Sequence, residues 1–134
     1  MTTPYDKSYH PPFPVLPVVL GEESSRIGPF SALIDSGSDA SLAPTGLLEE
    51  IGAGEGEEVA IRSHFGERQS AQIYLIALSV GGILLPGVYV VGDDTGREII
   101  LGRNILNKLP LFLDGPSQQT DLLDDETVKR LRAR

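Results

Sequence analysis

Residues 33–38 read LIDSGS, so a short apolar run ends at a carboxylate and a tight polar turn follows. An ionised Asp at the end of a buried strand is costly unless it is paired or hydrogen-bonded. Gly37 allows the backbone to turn sharply beside Asp35, and the hydroxyls of Ser36 and Ser38 lie within local reach of it. Asp35 is therefore the first candidate for a group with a chemical task.

The composition predicts one small, turn-rich β domain. The chain has 134 residues, of which 40% are hydrophobic, with 15 Gly and 10 Pro. This length suits a single modest core, and the many Gly and Pro residues favour β architecture over a helix bundle. Because the sequence has no Cys, it has neither a disulfide framework nor a Cys-based metal site or nucleophile.

Charge and hydropathy narrow the partners that we expect. The formal net charge is -8, which argues against binding to nucleic acid or to an anionic membrane. No run approaches the ~20 apolar residues of a membrane span, and residues 1–10 lack the apolar core of a signal peptide. We therefore expect no nucleic-acid partner, no membrane and a cytoplasmic location.

Apolar runs between turn signals predict a series of short strands. The expected strands are 13–20, 30–34, 59–61, 72–80, 83–85, 88–91, 98–101 and 111–113. Pro14 and Pro17 predict an edge or irregular first strand, and Pro86-Gly87 predicts a turn between two strands. Short helices are expected within 41–51 and 105–109. The segment 1–12 is expected to be a flexible arm, 13–115 the domain, and 116–134 a helical or disordered tail.

A second motif changes the interpretation of Asp35. Residues 99–106 read IILGRNIL, and a hairpin is predicted between this motif and ALIDSGSD at 32–39. In order and spacing, the two motifs resemble those of the retropepsins, the single-domain aspartic proteases of retroviral type. The resemblance covers roughly 13–115. It implies an all-β, closed, barrel-like acid protease fold with a flap hairpin and one short C-terminal helix, assembled as an obligate homodimer.

The resemblance also implies a role for each residue of the loop. Two copies of Asp35, one per subunit, would lie close together and share a proton, so that one serves as general base and the other as general acid. Ser36 would reach the partner backbone, and Gly37 would allow close packing of the two loops. Ser38 is expected to donate to the Asp35 carboxylate, which predicts activity in a more acidic range.

Asp39 and Arg103 correspond to a charge pair of the family, which would tie the active-site loop to the Gly-Arg-Asn helix and support the dimer. The alternative is an unrelated surface pair of little energetic weight. By the same resemblance, Leu33 and Ile100 would line the pocket for substrate side chains, although apolar residues at these positions also suit a plain core.

The predicted flap is the hairpin around 62–70, with Phe65-Gly66 at its tip and His64 beside it. A hairpin over a cleft can exclude water and add an extended peptide as a strand. The alternative is an ordinary exposed hairpin. His64 is expected to be solvated, and with only His10 besides it the sequence suggests neither a metal site nor a Ser-His triad. No cofactor is expected.

Residues 94–96 form a second triplet of the same type, Asp94-Thr95-Gly96. It lacks the preceding apolar pair, because Gly92-Asp93 stand there, and too few residues follow for a second flap and a second hydrophobic-Gly element. We therefore predict a turn at 94–96. A single catalytic motif in one short domain then implies a homodimer.

The leading hypothesis is an aspartic endopeptidase that acts on a peptide or protein substrate. The first alternative is a retropepsin-like dimerisation or peptide-binding domain with little or no catalysis, since a fold does not guarantee its chemistry. The second treats Asp35-Ser36-Gly37 with Ser41 as a phosphorylation motif, which requires an exposed, flexible segment. The apolar flank at 32–34 argues against that exposure.

Overall fold

A computed structural model describes residues 1–62 and 68–133 of the chain. In these ranges the strands are β1 Thr2–Pro4, β2 Val15–Leu20, β3 Ile27–Ile34, β4 Ser41–Pro44, β5 Gly54–Arg62, β6 Arg68–Val80, β7 Ile83–Asp93, β8 Ile99–Leu101, β9 Leu111–Asp114 and β10 Gln119–Leu122. The helices are α1 Thr45–Glu50, α2 Arg103–Leu106 and α3 Asp125–Arg132, with one 3₁₀ turn at Glu23–Ser25.

Six strands form a closed barrel in the order β2-β3-β8-β4-β7-β6, which closes where Val18–Leu20 of β2 pairs with Leu78–Val80 of β6. β5 extends from β6 as the second arm of a long hairpin. Side chains alternate along each strand, and one set fills the barrel interior. The largest completely buried side chains in this core are apolar: Leu16, Leu20, Leu48, Leu78, Leu101 and Ile105. The prediction of an all-β closed barrel is confirmed.

Of the two predicted forms of the first strand, edge or irregular, the structure has the second: β2 is not an edge, and its register with β3 shifts between Val18 and Leu20. β2 pairs with β3 on one side and with β6 on the other. Pro17 lies opposite Ser31 of β3, outside the three residues of β2 that pair with β6. Its missing N–H therefore does not interrupt the ladder that closes the barrel.

The predicted turn at Pro86-Gly87 is wrong, because β7 runs unbroken from Ile83 to Asp93. Leu85 pairs with Leu78 and Val88 with Ile76, so β7 carries one extra residue at this point. Pro86 lies in this bulge, where a strand tolerates the loss of a backbone donor. The real turn lies at Gly81, whose φ of +58° favours glycine.

The segments at the two ends of the sequence form a second sheet, in the order β1-β10-β9. The segment 1–12 is thus not a loose arm, because Thr2–Pro4 pairs with Gln119–Asp121. The partner strand lies more than a hundred residues away in sequence, so no local sequence pattern predicts the pairing. The helix expected in the tail is present as α3, and Asp124 caps it by accepting from the Thr127 N–H at 2.7 Å.

Candidate active site

Asp35 continues the ladder of β3 by one residue beyond the strand. β3 runs parallel to β8, and the Asp35 N–H donates to the Leu101 carbonyl at 3.0 Å. The side chain is half-buried, and its Oδ1 accepts from the Gly37 N–H at 3.0 Å. The backbone thus holds Asp35 at the rim of the barrel, with its carboxylate in the following turn.

The junction of β8 and α2 braces this turn from behind. The Arg103 N–H donates to the Ser38 carbonyl at 2.8 Å, and the Arg103 guanidinium donates to the Ser36 carbonyl at 2.9 Å. A Cβ on Gly102 would collide with the Ala40 carbonyl oxygen, so only glycine permits this close approach of two backbones. The two motifs that the sequence analysis paired are therefore joined directly in space.

Two expected interactions take a different form. The Ser38 hydroxyl donates to the Ala40 carbonyl at 2.6 Å, and not to the Asp35 carboxylate. Its single proton is committed within the loop, which removes the basis of the predicted acidic bias. Within the part of the chain that the structure describes, Arg103 binds the loop through the Ser36 carbonyl without forming the expected ion pair with Asp39, which is exposed.

A hydrogen-bond chain, not assigned from the sequence, lies beneath the loop and runs from a buried bond to an exposed one. The Gly102 N–H donates to the Ser41 hydroxyl at 2.8 Å, and that hydroxyl donates to Asn104 Oδ1 at 2.7 Å. Asn104 Nδ2 in turn donates to the Tyr89 carbonyl at 2.8 Å. Ser41 is only 1% exposed, and the chain joins β4, β7 and the β8–α2 junction. The sequence feature that could have indicated this hydrogen-bond chain is the single Ser among the apolar residues of β4.

Apolar side chains form a row on the face that Asp35 shares. Leu33 pairs with Ile100, and Ile100 pairs with Leu42 on the other side. Residues directly opposite one another in a sheet point to the same face, and residues 33 and 35 also share a face by alternation. The row continues through Val91 of β7 to Ile73 of β6. Leu33 and Ile100 thus share the Asp35 face, and their role in lining a substrate pocket stays a prediction. Leu42 was missed.

A cavity of about 320 Å³ adjoins this row at Leu42. Its walls come from Ser70 and Ala71 on β6 and from 92–95, which span the end of β7 and the two residues after it. The hairpin of β5 and β6 thus provides part of the wall, as a flap would. The predicted tip residues His64, Phe65 and Gly66 lie outside the described residues.

The second triplet forms an exposed turn after β7, as predicted. The carboxylate that caps this turn belongs to Asp93, whose Oδ1 accepts from the Gly96 N–H at 2.8 Å and the Thr95 N–H at 3.1 Å. Asp94 instead accepts from the Thr45 hydroxyl at 2.6 Å. Asp94 and Thr95 of this triplet therefore line the cavity.

Within residues 1–62 and 68–133, no group of three or more His, Cys, Asp or Glu side chains is arranged to hold a metal ion. Across the same ranges, no helix combines the length and the apolar character needed to cross a membrane.

Comparison with known proteins identifies a related fold. No protein-family model and no curated protein matches the chain. Among solved structures, the chain is similar to the retroviral protease-like domain of Ddi1 from Leishmania major, with a TM-score of 0.53 and 16% identity. The similarity covers 82% of this chain and 87% of that domain. The barrel and its hairpin thus constitute a retropepsin-like fold.

Proposed function

We propose that this chain is the subunit of a homodimeric aspartic endopeptidase in which Asp35 is the catalytic residue. The observation that carries the proposal is the position of Asp35, held in a turn braced by the β8–α2 junction and on the same face as an apolar row. The retropepsin-like fold supports the same assignment. Since the second triplet forms a capped turn, a second copy of Asp35 is the natural source of the second carboxylate.

The reaction follows from two carboxylates that share one proton. The ionised Asp35 accepts a proton from a water molecule, whose oxygen attacks the carbonyl carbon of the scissile bond. The protonated Asp35 of the other subunit donates its proton to the carbonyl oxygen, which yields a tetrahedral diol. Proton transfer to the amide nitrogen then allows the C–N bond to break, releasing a carboxylic acid and an amine. Titration belongs to the pair of carboxylates and not to either one.

The expected substrate is an extended peptide with apolar side chains beside the scissile bond. Ile100 and Leu42, both half-buried, offer an apolar surface on the face of Asp35, beside the buried Leu33. An extended peptide also suits a cleft between a sheet and a hairpin, because main-chain hydrogen bonds hold it as an added strand.

The test is cleavage of a quenched fluorescent peptide library with apolar residues at the central positions, across acidic to neutral pH. We expect the wild type to cleave and pepstatin to inhibit it. Asp35→Asn should lower the cleavage rate by about 10²–10⁴-fold, while sedimentation still gives the mass of the wild-type assembly. Asp94→Asn is the matched control. Because Asp94 lines the cavity, its replacement can change KM, but kcat at saturating peptide should equal that of the wild type.

Absence of cleavage over the whole pH range, with peptide binding retained, would instead favour a binding domain. Cleavage that survives in Asp35→Asn would assign the chemistry to other residues.

A further inference from the structure

We propose that Tyr9 and Phe13 form an aromatic wall of the substrate cleft, which binds an aromatic side chain of the peptide beside the scissile bond. The proposal rests on the proposed function and narrows the substrate class of the same site. It gives the N-terminal segment 5–13 a direct contact with the substrate, whereas the sequence predicted a flexible arm over 1–12.

The register of the first two barrel strands places Phe13 opposite Asp35. β2 and β3 form an antiparallel ladder, and its register continues beyond both strands, because the Ile34 N–H donates to the Pro14 carbonyl at 3.0 Å. One further step along each chain brings Phe13 against Asp35. The two residues therefore lie side by side at the rim of the barrel.

The backbone hydrogen bonds of Phe13 agree with this register. The Phe13 N–H donates to the Asp6 carbonyl at 3.0 Å, and the Phe13 carbonyl accepts from the Asp6 N–H at 2.8 Å, so both groups are directed away from β3. Phe13 and Asp35 thus form a non-hydrogen-bonded pair, whose Cα atoms are about 4.5 Å apart and whose side chains share a face. The Phe13 ring is therefore the neighbour of the Asp35 carboxylate on the side of β2.

Tyr9 extends this aromatic surface across β3. Its ring centroid lies 5.5 Å from that of Phe13, and the ring planes are tilted by 57°, a geometry that aromatic pairs favour. Desolvation, followed by a hydrogen bond to Glu98 and the charge of Glu98, raises the pKa of Tyr9 above its ordinary value of 10.0. Glu98 directly precedes β8, and β3 lies between β2 and β8 in the sheet. The Tyr9 side chain therefore lies over the outer face of β3.

The burial of two residues on this face agrees with the position of Tyr9. Leu33 is 7% exposed and Val15 is 4% exposed, yet neither belongs to the apolar cluster that fills the barrel. They pair with each other on the face that Asp35 shares, so side chains outside the barrel cover them. The segment 5–13 thus borders the cleft on the side of Asp35 opposite to the cavity at Leu42.

The chemistry of this border suits an aromatic ligand. Tyr9 and Phe13 are both half-buried, so each ring keeps accessible surface. A cavity of about 300 Å³, bounded by Asp6 and Val15 among others, provides space on the same face. A further ring packed against such a pair strengthens binding by about 2–12-fold beyond the effect of apolar area. An aromatic side chain is therefore favoured over an aliphatic one.

The test is calorimetric binding of two peptides to Asp35→Asn, which retains the cleft and slows turnover. The peptides differ only in the two residues that flank the central bond, which are both Phe in one peptide and both Leu in the other. We expect the Phe peptide to bind about 2–12-fold more tightly. The ratio of the two dissociation constants is the decisive quantity, because a purely structural role of the rings would weaken both peptides equally.

Substitutions in the Asp35→Asn background assign this ratio to the wall. Phe13→Leu should bring the ratio close to 1, and Tyr9→Leu should lower it independently. Tyr9→Phe keeps the ring and should keep the ratio. Phe112→Leu, which replaces a ring 51% exposed on β9, is the matched control and should also keep it.

Equal binding of the two peptides, or a ratio that neither Phe13→Leu nor Tyr9→Leu changes, would overturn the proposal. An aromatic preference in binding, together with a wild type that cleaves neither peptide, would support the wall and refute the proposed activity. Cleavage of both peptides with equal kcat/KM would refute the wall and support the activity. The two proposals can thus fail separately.

Discussion

The chain contains two triplets of the same type, and they have opposite surroundings. Asp35-Ser36-Gly37 follows a buried strand and is held from behind by Arg103. Asp94-Thr95-Gly96 lies in an exposed turn, which is capped by the carboxylate of the preceding residue, Asp93. The triplet alone is therefore not informative, because the elements packed against it determine how its carboxylate is held.

The largest expected contrast is in catalysis. Asp35→Asn should lower the rate of peptide cleavage by about 10²–10⁴-fold, because it removes the general base and general acid together. Asp94→Asn should leave kcat unchanged, since Asp94 lines the cavity and accepts a hydrogen bond from Thr45 but takes no part in the proton transfer. Initial rates with one fluorescent substrate, at matched concentrations of dimer, make the comparison. A large loss in Asp94→Asn would refute the distinction between the triplets.

The second contrast compares the loss of stability on replacing Gly102, beside the Asp35 loop, with that on replacing Gly96 of the second triplet. Gly102→Ala should lower the free energy of unfolding by about 3 kcal/mol, because the new methyl group meets the backbone oxygen of Ala40, which cannot move away alone. Gly96→Ala meets only the Asp93 carboxylate, and displacing this cap should cost about 1 kcal/mol. Urea unfolding of both variants gives the two values. Equal losses would mean that the Asp35 loop is not rigidly braced.

A smaller difference is expected between two hydroxyl groups. Ser41→Ala leaves the buried Gly102 N–H and the Asn104 side-chain oxygen without their partner, and should destabilise the fold by about 1–3 kcal/mol. Thr45→Val removes an exposed hydrogen bond to Asp94 and should change stability by no more than about 0.5 kcal/mol. Thermal unfolding distinguishes the two. A loss of stability in Ser41→Ala no larger than that in Thr45→Val would contradict the stabilising role of the hydrogen bonds under the Asp35 loop.

The smallest expected effect concerns the Asp124 carboxylate, which caps the N-terminus of α3. Hydrogen bonds from the Thr127 backbone and side chain lower the pKa of Asp124 below its ordinary value of 3.8. The cap therefore contributes to α3 fully above that value and is lost as the pH falls through the lower pKa of the folded state. The amide shift of Thr127 in NMR follows this loss. Asp124→Asn caps without titrating, so its helix should not respond over the same range.

Much of the fold was predictable because its signals are local. Apolar alternation and turn residues indicated most barrel strands, and the apolar flank of Asp35 indicated a strand end. The wrong predictions concern segments whose conformation depends on pairing with a strand that is distant in sequence. Pro86-Gly87 resembles a turn in sequence, yet it lies in a bulge of one long strand that pairs with β6. The polar arm resembles a loose segment, yet β10 pairs with it.

The candidate site was predictable in its residues but not in its bonds. Asp35, Leu33 and Ile100 lie on one face, as the motifs implied. Ser38 and Arg103 bind other atoms than expected, because the hydrogen-bond partner of a short side chain depends on loop geometry and not on residue type. The Ser41–Asn104 bond joins residues 63 positions apart, so no spacing in the sequence could announce it.

Local sequence features were enough to identify a carboxylate after an apolar strand, and a glycine and an arginine in the second motif. The three-dimensional fold was needed to distinguish the braced triplet from the one that forms a turn, and to show that Gly102 lies against the Ala40 backbone. Strand alternation and turn propensity act over a few residues. Hydrogen-bond partners and exposed edges depend instead on strands that meet across the whole chain.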